Sequence, residues 1–137
     1  MRAGTGTAAD WWRVLRVATI VELESLAARL QGAMAPSRDL DHAIAVVLDR
    51  LPAPPSTLPQ WTASLDDTLK LYKDLLPGRP MQVTDDPENQ RFFCTVELYG
   101  TMPATPPYHV AAASTAAFAV LIAMVRTLIA LEIDYWS

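Results

Sequence analysis

The sequence predicts an α+β domain, mostly helical, with a short antiparallel β-hairpin in a three-layer helix/sheet/helix arrangement. Three observations predict it. Apolar residues recur at helical spacing over most of the chain, and between Arg91 and Tyr99 the period changes to two. A hairpin alone is marginal in water and needs a helical layer on its apolar face. The 137 residues, 51% hydrophobic and 19% charged, suffice for one core and are too few for two ordinary domains.

Residues 1–9 are small and polar and are expected to be a flexible N-terminus, followed by an N-terminal helical segment over 10–35 and a single α+β domain over 36–137. Asp10 can cap a helix from Trp11 to about Gly32, with Ile20, Leu23, Ala27 and Leu30 forming a stripe opposite Glu22, Ser25 and Arg29. Ser37 caps the next helix, in which Leu40, Ile44, Val47, Leu48 and Leu51 share a face and His42 and Asp49 point away. The proline-rich stretch Pro52 to Pro59 cannot continue it and reads as a connector. Ser64 and Asp67 match a capping box, opening a helix expected to bury Leu65, Leu69, Tyr72 and Leu76 and to end at Pro77 and Gly78.

Met81 to Thr84 and Arg91 to Tyr99 form the hairpin, with Phe92, Cys94, Val96 and Leu98 on one face. Phe93 and Tyr99 make the second face partly apolar, which fits either helices on both sides of the sheet or a surface used for contact. The prolines of 100–107 mark a loop, and the closing helix is expected from about Val110 to Ile133. Being apolar almost all round, it belongs at the centre.

Composition narrows the function. A net charge of -4 without a basic cluster disfavours direct nucleic-acid binding. The uncharged run Tyr108 to Val125 is rich in Ala, Ser and Thr and suits a buried helix better than a membrane span. One cysteine and no secretory pattern at the start fit a reducing, cytoplasmic compartment; whether Met1 or Met34 is the native start is left open. His42 and His109 have no ligand partners at metal spacing, and Cys94 falls on the inward face of its strand, so no catalytic residue, metal site or cofactor is expected.

What remains are surfaces. Asp85, Asp86 and Glu88 crowd one turn without the glycine and distal glutamate of a calcium loop, and can face a basic surface on another protein. Trp11, Trp12, Trp61 and Trp136, with Tyr99, Met102, Tyr108 and Tyr135, are large side chains near element ends, of the type that anchors interfaces, although each also suits ordinary packing. Tyr99, Met102 and Tyr108, with Phe93 on the second face of its strand, are the candidate contact residues among the large side chains.

Three blocks in order, LDHAIAVVL at Leu40 to Leu48, WTASLDDTLKLYKDLLPG at Trp61 to Gly78 and AASTAAFAVLIAMVRTL at Ala112 to Leu128, resemble the small phage and prophage proteins described as having an ABA-sandwich domain. The chain departs from that pattern in lacking a proline after Thr115, in continuing through Trp136 and in its N-terminal helix. The resemblance implies a three-layer fold and a phage-encoded accessory role, and carries over no catalytic residues. The expected function is stoichiometric binding to a bacterial host protein, as an inhibitor of that protein or of a defence complex, in the host cytoplasm. The alternative is a self-associating structural or assembly protein, such as a homodimer.

Overall fold

The computed structural model describes residues 20–97 and 108–136. Within them the fold is α+β and mostly helical: four α-helices and a three-stranded antiparallel sheet packed against the last helix. Asp10, Trp11, Trp12, Tyr99 and Met102, named above, lie outside the described residues, as do the side chains of Tyr108, His109, Tyr135 and Trp136.

Helix α1 is described over 20–32 and buries Leu23, Leu26, Ala27 and Leu30, while Glu22, Ser25 and Arg29 are exposed as their spacing requires. Helix α2, Arg38–Val47, begins where Ser37 Oγ accepts the Leu40 N–H at 3.3 Å. It ends earlier than the apolar spacing predicts. Arg50 N donates to Ala45 O and Asp49 N to Val46 O, with Asp49 at φ 56°, which is a Schellman closure. Leu51, expected on the buried face, is therefore 51% exposed.

A single turn of 3-10 helix, Pro55–Thr57, interrupts the proline-rich connector, and α3 spans Leu65–Leu75. Ser64 Oγ accepts from Asp67 N at 3.2 Å, which is half of the capping box. The return arm differs: Asp67, a methylene shorter than glutamate, takes the Gln60 N–H, and Ser64 N donates to Gln60 O. The buried face of α3 is also rotated from the leucine pattern. Thr68, Leu71, Tyr72 and Leu76 are buried, Leu69 is half-buried and Leu65 is exposed. Thr68 Oγ1 donates toward the carbonyls of Trp61 and Ser64, so a polar residue occupies the inward position and Leu65 turns out.

The strands are β1 (Met81–Asp86), β2 (Arg91–Glu97) and β3 (Tyr108–Ala113), in that order across the sheet. Cys94 lies opposite Val83 on one side and Ala111 on the other; Phe93 lies opposite Thr84 and Ala112. The third strand corrects the two-stranded expectation, since residues 108–113 extend the sheet where the alanine run predicts helix. Pairing along β2 overrides the helical preference of alanine, and Ala111, 1% exposed, is small enough to sit beneath a packed helix.

Helix α4, Ala116–Trp136, starts six residues later than predicted, behind a cap in which Thr115 Oγ1 accepts from Phe118 N. All nine residues from Ala117 to Val125 are buried, so the helix is central as its composition requires. No helix among the described residues is long and apolar enough to cross a membrane.

One hydrophobic cluster joins α1, α2, α3 and α4 to the inner face of the sheet through Cys94, Val96 and Ala111. None of Gln82, Thr84, Phe93, Thr95 and Ala112, on the opposite face, belongs to it, and Gln82, Thr84 and Ala112 are exposed. The described core therefore lies on one side of the sheet; a helical layer on each side, as the sequence predicts, is not present among the described residues.

Candidate interaction surface

Strand alternation builds this surface. Gln82, Thr84 and Asp86 of β1, Arg91, Phe93, Thr95 and Glu97 of β2, and Ala112 of β3 point away from α4, because their neighbours Val83, Cys94, Val96 and Ala111 point into the core. Phe93 sits mid-sheet between Thr84 and Ala112, half-buried by flanking strands and outside the hydrophobic cluster. A half-buried phenyl ring flanked by Thr84 and Ala112 makes this face partly apolar among its described side chains.

The acidic residues lie at the end of this face. Asp85 and Asp86 close β1, and the turn Pro87 to Gln90 returns the chain to Arg91. Gln90 N donates to Pro87 O, Gln90 has φ 52°, and Asn89 Nδ2 donates to Asp86 Oδ2 at 2.9 Å. Asp85 and Glu88 are exposed and Asp86 is half-buried. Consecutive strand residues face opposite sides, so Asp86 shares the outer face with Phe93 while Asp85 stands on the other side of the strand. The three carboxylates thus form a negative rim around the turn and do not converge on a point. Among the described residues no group of three or more His, Cys, Asp or Glu is placed to hold a metal ion.

Of the other predicted residues, only the backbone of Tyr108 is described, opposite Glu97 at the far end of the same strand pair. His42 is exposed on α2. Cys94 is fully buried, and burial pushes its thiol from 9.0 up to about 12. The neighbouring Tyr72 is also raised to about 12, by burial first and by Cys94 second, with Arg79 opposing. Its hydroxyl donates to Arg79 O, and Arg79 donates to Glu97 O, which fastens α3 to the end of β2.

Alternation along β2 places Arg91 on the outer face with Phe93, and it stands there exposed beside the acidic rim. Sequence periodicity misses Asp41, 1% exposed although it sits in the first turn of α2, where an acidic residue normally serves the helix dipole from solvent. Asp41 Oδ1 accepts from Thr62 N at 2.8 Å and Thr62 Oγ1 at 2.9 Å, and Oδ2 accepts from Arg38 at 2.9 Å. Arg38 also donates to the carbonyls of Leu58 and Pro59, so the group ties the end of the proline-rich connector to α2. Asp41 and Thr62 lie 21 positions apart, beyond the reach of any local pattern.

Comparison of the chain with models of known protein families, with curated protein sequences and with solved structures finds no match in any of the three.

Proposed function

We propose that this chain is an accessory protein of phage or prophage type that works by stoichiometric binding to a bacterial host protein in the host cytoplasm and inhibits it. The observation that carries the reading is the outer sheet face: Phe93 stands there outside the core, among exposed Thr84 and Ala112, and the face ends at the acidic rim. A partner with an apolar patch bordered by basic residues fits it, since a negative rim steers and orients such a surface while the aromatic ring supplies burial. The partner then takes the place of the second helical layer, completing a three-layer arrangement. The chemistry of the reading needs no cofactor.

The test is comparative capture. The wild-type chain, Phe93→Glu and the triple variant Asp85→Lys, Asp86→Lys, Glu88→Lys are immobilised and exposed to bacterial lysate, with each variant first shown by circular dichroism to be folded. A defined protein retained in equimolar amount by wild type and released by both variants supports the reading. Identical retention by all three, or by none, overturns it.

Self-association is the second reading, and one observation favours it. β3 lies at the end of the strand order and carries no charge, proline or glycine, the features with which edge strands resist pairing. Light scattering of the purified chain separates the two: a stable dimer indifferent to Phe93→Glu favours self-association, and a monomer favours the inhibitor.

A further inference from the structure

We draw no further inference here: the strongest candidate, the groove of about 450 Å³ between the end of α1, the β1–β2 turn and the β3–α4 junction, mixes apolar and polar lining residues, and nothing in the structure shows what covers it.

Discussion

Asp41→Ala removes a buried carboxylate, and the cost can be built up from the groups that surround it. Thr62 is 1% exposed, so its N–H, which donates to Asp41 at 2.8 Å, is left buried and unpaired, at about 1–3 kcal/mol. The Thr62 hydroxyl is better placed, because Ser37 O lies 3.1 Å from it and can take the proton that Asp41 releases. Arg38 is 52% exposed, so losing its ion pair adds only about 0–1 kcal/mol after solvent screening. The sum is about 3 kcal/mol, roughly 10 °C of melting temperature for a domain of this size.

Asp41→Asn separates geometry from charge. Its amide oxygen can keep the Thr62 N–H, while the amide nitrogen meets the Arg38 guanidinium, a donor facing a donor, so the cost falls to about 1 kcal/mol. Asp39→Ala, an exposed change in the same helical turn, serves as control and loses only a dipole interaction of about 0.5 kcal/mol. Thermal and urea unfolding by circular dichroism should rank Asp41→Ala as the least stable variant, Asp41→Asn next and Asp39→Ala as the most stable of the three. An Asp41→Ala variant as stable as Asp39→Ala would refute the claim that this carboxylate holds the connector to α2.

Three further outcomes follow from the structure. Cys94 and Tyr72 both have raised pKa values, so the stability they contribute is complete below their unfolded values of 9.0 and 10.0 and is lost as pH climbs toward about 12; melting temperature should fall across that window, less steeply in Cys94→Ala, and parallel curves would contradict it. Asp49→Gly relieves a left-handed backbone position at the end of α2 and should raise the urea midpoint by about 1 kcal/mol of stability with an unchanged slope, whereas a drop would show that the aspartate side chain has a role there. Phe93→Glu should change stability by no more than about 1 kcal/mol while Leu121→Ala, fully buried in α4, costs about 3 kcal/mol; comparable losses would place Phe93 in the core.

Elements whose signal is local were legible in the sequence. The caps at Ser37 and Ser64, the alternation around Cys94 and Val96, and the all-apolar run of α4 each need only neighbouring residues to specify them, and the structure has them. The misreadings share a different cause. Whether residues 108–113 form strand or helix depends on β2, distant in the chain, and alanine taken alone favours helix. The inward turn of Thr68 depends on the Trp61 carbonyl, and the burial of Asp41 on Thr62. In the candidate surface, alternation placed Phe93 opposite the core residues, and turn chemistry placed Asp85, Asp86 and Glu88 at the hairpin end. That Asp85 and Asp86 face different ways follows from the strand extending through Asp86, two residues beyond Thr84.

The central helix explains why a surface is left over. With every residue from Ala117 to Val125 buried, this part of α4 has no wet side and must be enclosed on all sides at once. The sheet supplies one wall through Cys94, Val96 and Ala111, and the buried residues of α1, α2 and α3 supply the rest of the same cluster. Over their described residues those helices pack into this cluster, on the inner side of the sheet. An antiparallel sheet tolerates solvent on one side, provided that side is polar, and Gln82, Thr84 and Thr95 meet that condition. Phe93 does not, although threonine would serve the same strand position with comparable β-propensity. An aromatic residue at the middle strand of a face that the described core does not use is left unexplained by packing among the described residues, and the binding proposed above would account for it.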